Sequence, residues 1–193
     1  MITNKAEYLY YLECDRVALR AKRKRPPILP GYEVWKYQRL LRKTEYYTNC
    51  KRYHPLRFLL KWRLHALSVK YGFSIPLNVF GPGLSIAHIG PIIINSKSKI
   101  GANCRIQTGV TLGATNGSAE APQLGDNIFL GEGCKLIGAI TIANDVQIGA
   151  NAVVVKSIME PATTWGGVPA RKISGRSSES NLIKATELVN RKR

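Results

Sequence analysis

No stretch of the chain reaches the roughly 20 consecutive apolar residues that a membrane-spanning helix needs. The opening residues, MITNKAE, lack the basic-then-apolar layout of a secretion signal. Both absences predict a cytoplasmic protein. Cysteine is sparse and scattered: Cys14, Cys50, Cys104 and Cys134 show no C-x-x-C spacing. That argues against a zinc knuckle or a disulfide framework and leaves free thiols. Acid is also short, with 12 Asp and Glu against 29 Lys and Arg. Histidine occurs only three times, and His88 is the only one between residues 73 and 193.

What is present divides along the chain. Residues 1–72 carry 17 Lys and Arg against five Asp and Glu, residues 73–170 five against five, and residues 171–193 seven against two. The net charge of +17 therefore lies in the two ends. A neutral middle between basic ends predicts a scaffold whose ends meet something anionic. With 193 residues, 45% of them hydrophobic, the chain holds one substantial domain and an appendage rather than two full domains.

A six-residue repeat organises the middle. Reading every sixth residue gives Ile94, Ile100, Ile106 and Leu112, then Leu124, Leu130, Leu136, Ile142, Ile148 and Val154, with Ser118 breaking the phase. The residue after each is often turn-forming: Asn95, Gly101, Gly113, Gly125, Gly131 and Gly149. The slot four after is small or β-branched, as at Ser98, Cys104, Val110, Ile128, Cys134, Ile140, Val146 and Ala152. In a triangular coil each hexad supplies a short strand and a corner; the aliphatic residue fills the axis and its successor tolerates the turn. Coils of about 18 residues cannot bury their own apolar edges and must stack into a prism. Cys104 and Cys134 then read as core residues.

The repeat is interrupted twice. Ile86 and Ile94 lie eight apart, so AHIGP (87–91) carries two extra residues, and ATNGSAEAPQ (114–123) replaces a hexad with turn-formers. Irregularities in a strict solenoid are where loops carry function. Outside the repeat, helices are predicted over 3–24, 31–50 and 55–71, with prolines 26, 27 and 30 separating the first two and Gly72 stopping the third. Beyond Pro169 the chain is expected to leave the prism, with a short helix near 180–192. The predicted architecture is mainly β: a parallel β-helix over 73–170, a basic helical N-terminal cap over 1–72 and a basic tail over 171–193.

The motifs GPGLSIAH (81–88), IGANCRIQTGVTLGATNG (100–117), IGANAVVVKSI (148–158) and GGVPARKI (166–173) cover about half the chain. Through them the run from Gly81 to Ser174 resembles the serine acetyltransferase branch of the hexapeptide acyltransferases, particularly relatives encoded with capsule and exopolysaccharide genes. The resemblance implies a left-handed β-helix assembled as a homotrimer, with active sites between subunits and acetyl-CoA as co-substrate. His88 matches the general base, a role suited to an imidazole that titrates near neutrality. The matching acetyl-CoA positions are Ala114, Cys134, Ala150, Val155, Lys156 and Arg171. No metal is implied, since a metal-binding prism of this kind needs several His on its coils.

The chain departs from that branch in places. Phe73 and Ala87 stand where the branch has Asp, and Glu120 and Ala121 where it has an Arg-His pair. An acceptor carboxylate would lose its partner there. The departures therefore predict O-acetylation of a saccharide hydroxyl, in capsule or exopolysaccharide assembly. Serine O-acetylation for cysteine synthesis and a non-catalytic assembly prism are the alternatives. No nucleic-acid motif accompanies the charge. The segment Arg57–Lys70 mixes cations with Phe58, Trp62 and leucines, which suits either peripheral contact with the inner face of a membrane or packing of its leucines on the prism or a neighbouring subunit.

Overall fold

The computed structural model describes residues 1–27, 30–115 and 120–191. Each aliphatic hexad residue from Ile94 to Val154 is buried and lies in a strand of two or three residues. The strands stack into three parallel faces. One holds β1 (Phe73–Ser74), β3 (Ile92–Ile94), β6 (Thr111–Gly113), β9 (Lys135–Ile137) and β12 (Val153–Val154). A second holds β2 (Ser85–Ile86), β5 (Arg105–Ile106), β8 (Phe129–Leu130), β11 (Gln147–Ile148) and β13 (Thr164–Gly166). The third holds β4 (Lys99–Ile100), β7 (Gln123–Leu124) and β10 (Thr141–Ile142). A single core runs up the axis, and Cys104 and Cys134 fill it as expected. Burial pushes the Cys134 thiol up to about 12 and raises that of Cys104 as well.

The corners work differently from the simple expectation. Left-handed φ falls three residues after the aliphatic position, at Asn103, Gly109, Asn127, Gly133, Asp145 and Asn151. Asn and Asp adopt that region more readily than other side-chain-bearing residues. Their amides also form a ladder, Asn103 donating to Asn127 at 2.8 Å and Asn127 to Asp145 at 3.0 Å. The glycines directly after the aliphatic residues serve close approach instead: a Cβ on Gly131 would lie 2.7 Å from the Ala150 amide nitrogen of the next coil.

The hexad phase survives the 114–123 interruption for a countable reason. Arg105 pairs with Phe129 and Thr111 with Lys135, a step of 24 residues, whereas Phe129 pairs with Gln147 after 18. One hexad's length is thus inserted between β6 and β7 without contributing a face. Ser118 and the Asn116–Gly117 pair of the motif lie outside the described residues.

Three helices precede the prism, α1 (Lys5–Ala18), α2 (Glu33–Cys50) and α3 (Leu56–Tyr71). Asn4 caps α1 by accepting from the Glu7 amide at 2.9 Å, and Gly72 ends α3 with φ 75. A buried network ties α1 and α2 to the first coil. Arg42 donates to Asp15 at 2.8 Å, to Glu45 at 3.1 Å, and to the carbonyls of Phe80 and Gly81 at 2.9 and 2.6 Å. Asp15 also accepts from the amides of Gly83 and Leu84, both at 2.9 Å. Gln38 brackets the same strand, donating to the Leu84 carbonyl and accepting from the Ile86 amide.

The C-terminal region does not leave the prism as expected. β14 (Arg171–Ser174) adds antiparallel to β13, and α4 (Ala185–Asn190) returns to α1, where Ala185 and Val189 pack on Cys14 and Ala18. Thr186 and Asn103 exchange hydrogen bonds of 3.0 and 2.8 Å, which pins the return to the corner ladder. No helix among the described residues is long and apolar enough to cross a membrane.

Candidate active site

The first interruption of the repeat creates the site. Gln38 holds the backbone at Leu84 and Ile86, and the Ala87 amide still pairs with the Ile106 carbonyl at 3.0 Å. Beyond it the two extra residues bulge out, leaving His88 and Ile89 exposed. Gly90, at φ 146, closes the bulge where a Cβ would run into the Thr108 side chain. Its amide donates to the Tyr71 carbonyl at 3.2 Å, and the Ile92 amide donates to that of Gly72 at 3.1 Å. The end of α3 therefore braces the turn that presents His88.

His88 faces a cleft of about 830 Å³ between this turn and the connection from α1 to α2. The opposite wall carries Arg20, Lys22 and Arg23, followed by Tyr32 and Glu33 at the start of α2. Arg105 lies close to this charge: burial lowers its guanidinium pKa, and the positive charge of Arg20 lowers it further. Arg105 donates to the Ser85 hydroxyl at 3.0 Å. Among the described residues Glu33 is the one carboxylate lining the cleft, held below the usual carboxylate range by hydrogen bonds from its own amide and that of Gly31.

The positions where the sequence departs from the serine acetyltransferase pattern have other duties. Phe73 is buried in an aromatic cluster, edge-on to Tyr37 at 4.8 Å and to Tyr71 at 6.0 Å. Ala121 is buried and its carbonyl accepts from Gln123 at 2.9 Å, while Glu120 is exposed.

Of the six expected acetyl-CoA positions, Val155, Lys156 and Arg171 line one cleft of about 470 Å³ with Trp165, Pro169 and Ala170. Ala150 is exposed at the corner after β11, and Ala114 is half-buried just after β6. Cys134 is fully buried, with its amide donating to Gly131 at 3.2 Å and its carbonyl accepting from Thr111 at 3.0 Å. Within one chain, the second cleft and the His88 cleft share no lining residue. Among the described residues no cluster of three or more His, Cys, Asp or Glu could hold a metal ion. Sequence reasoning missed Arg20, Lys22, Arg23 and Glu33. The basic run at 20–25 was visible only as charge, since nothing local says that it faces a histidine more than 60 residues away.

No family model matches the chain. The serine acetyltransferase of Mycobacterium tuberculosis is 38% identical over 107 residues, covering 54% of this chain and 46% of that protein. The Haemophilus influenzae serine acetyltransferase is 30% identical over 176 residues, 84% of this chain and 63% of that one. The chain thus spans about half to two thirds the length of these two relatives. Among solved structures, the Brucella abortus serine acetyltransferase superposes with a TM-score of 0.75 at 23% identity, over 90% of this chain and 72% of its own. A serine acetyltransferase in complex with CoA gives 0.70 at 26%, over 88% and 71%. The fold is therefore the left-handed β-helix of those enzymes.

These findings overturn the expectation of a saccharide acceptor, because the named relatives and structures are serine acetyltransferases. The correction has a physical source: the chain lacks the Arg-His pair at 120–121, but the fold brings three other cations to the His88 cleft from the α1–α2 connection.

Proposed function

We propose that this chain is an acetyl-CoA-dependent serine O-acetyltransferase with His88 as its general base. The observation that carries the reading is an exposed imidazole facing Arg20, Lys22 and Arg23 across an 830 Å³ cleft. The cationic wall takes the serine carboxylate by charge-assisted hydrogen bonds, which turns the hydroxyl toward His88. The imidazole accepts the hydroxyl proton as the serine oxygen attacks the thioester carbonyl carbon. The carbon–sulfur bond then breaks, and the proton passes to the departing thiolate, leaving O-acetylserine and CoA.

The second cleft suits the phosphate end of acetyl-CoA, with Lys156 and Arg171 as the cations and Val155 and Trp165 as apolar wall. Assembly as a homotrimer accounts for the apolar side chains left in solvent on the prism, among them Ile93 at 50%, Val155 at 50% and Val168 at 72% exposure. In such a trimer a neighbouring prism completes each site.

A thiol-release assay with acetyl-CoA and L-serine, with product identified by mass, tests the reading. O-acetylserine is the expected product, and serine methyl ester should be a poorer acceptor. No turnover of serine would overturn the proposal. The joint variant Lys22→Gln, Arg23→Gln should raise KM for serine about tenfold with a smaller change in kcat, as loss of charge-assisted binding requires. The joint variant Lys156→Ala, Arg171→Ala should instead raise KM for acetyl-CoA by a similar factor. That difference should shrink in high salt as screening weakens the wild-type contact.

A further inference from the structure

Helix α3 has two apolar faces, and the fold uses only one. Leu60, Leu64 and Tyr71 are buried, and Tyr37 of α2 meets Ser68 of α3 at 3.1 Å. On the opposite side Phe58, Trp62, His65 and Val69 follow one another at i, i+4, i+7 and i+11, a single stripe of a helix. Phe58 is 64% exposed, Trp62 68% and Val69 71%, with Leu59 and Ala66 exposed along one edge. The stripe is roughly 17 Å long at helical rise. Lys61 flanks it on one side and Arg63 and Lys70 on the other, all exposed, while Arg57 sits 4.5 Å from the Phe58 ring.

The charge around the stripe identifies what covers it. The helix contains no acid, and none occurs anywhere between residues 46 and 119. A second copy of the same face would bring cations against cations, so homotypic pairing here is opposed by repulsion. An anionic lipid surface offers the complement: headgroups for the lysines and arginines, and the acyl boundary for Phe58 and Trp62. Aromatic residues with a cationic fringe are the composition that interfacial helices use. We propose that this outer face of α3 docks the protein on membranes rich in anionic lipid.

The test is co-flotation of the full chain with vesicles of equal parts phosphatidylglycerol and phosphatidylcholine, beside vesicles of phosphatidylcholine alone. Binding to the anionic vesicles is expected, with a blue shift of tryptophan emission and weakening as salt rises. Trp62→Glu and Phe58→Glu should each lower partition by about tenfold or more, the loss expected when a buried aromatic is withdrawn. The charge-matched control Ser96→Glu, on the prism, should bind nearly as wild type. Both α3 substitutions lie on exposed positions, so melting temperature and acetyl-transfer rate should be unchanged. No flotation at low salt, equal binding to both vesicle types, or equal losses in all three variants would overturn the proposal. So would concentration-dependent self-association that Trp62→Glu abolishes, which would make a second copy the occupant.

Discussion

Replacing His88 with Ala should lower kcat for acetyl transfer to serine about 100- to 10,000-fold, the range over which a positioned general base contributes. The argument is strengthened by what the residue does not do. His88 is exposed on a bulge whose backbone is held by other groups, Gln38 on one side and the carbonyls of Tyr71 and Gly72 on the other. Its removal should leave the melting temperature where it was, since exposed substitutions away from packing shift stability by only about 0.5 kcal/mol. KM for acetyl-CoA should also hold, because the second cleft lies on residues far along the chain. A loss confined to kcat, in a protein that melts normally, assigns the side chain to the chemical step. Free imidazole should restore part of the rate, since the cleft is open and wide enough to admit it. An unchanged kcat in the variant would remove His88 as the base and with it the proposed mechanism.

The prism was legible because its information is local and repeated. Every aliphatic position read from the spacing is buried, and so are the small inward slots from Ser98 to Ala152. Helices α2 and α3 fall within two residues of the predicted spans, since stop signals such as Gly72 act on their own neighbours. What the spacing did not reveal depends on contacts between distant residues. The return of the C-terminal region rests on pairs such as Thr186 with Asn103, 83 positions apart. The cations at 20–23 read only as part of a basic end that meets something anionic, because nothing near them in the chain shows that they line a cleft with His88. The expectation of a saccharide acceptor failed for the same reason: a motif comparison scores positions and does not show which cations the fold brings to the cleft from elsewhere in the chain. The double-faced α3 shows a further limit, because periodicity marked its apolar residues without showing that packing takes Leu60 and Leu64 and leaves Phe58 and Trp62 outside.

The largest stability effect should come from Arg42→Ala. The guanidinium is fully buried at the junction between helices and prism, where it meets two carboxylates, two backbone carbonyls of the first coil and the face of Tyr11 at 4.9 Å. Burial drives the Asp15 carboxyl up toward its neutral form, and Arg42 together with the Leu84 amide opposes that shift. Truncating Arg42 leaves Asp15 and Glu45 buried without their cation, which costs about 3–5 kcal/mol. For a chain of this length that is a fall on the order of 10 °C in Tm. Arg42→Lys should rescue little, because an ammonium cannot serve Asp15, Glu45 and the carbonyls of Phe80 and Gly81 from one planar fork. The triple variant Arg42→Met, Asp15→Ala, Glu45→Leu should recover only part of the loss: it removes the uncompensated charges, but leaves the Gly83 and Leu84 amides and the Phe80 and Gly81 carbonyls without their partners. The network's strand contacts also lead toward the site: Asp15 holds Gly83 and Leu84, and Gln38 holds Leu84 and Ile86, two residues before His88. Arg42→Ala should therefore depress kcat as well as Tm, and Gln38→Ala should depress kcat at a smaller cost in stability. If Arg42→Ala melted within a degree or two of wild type, the junction would not depend on this network.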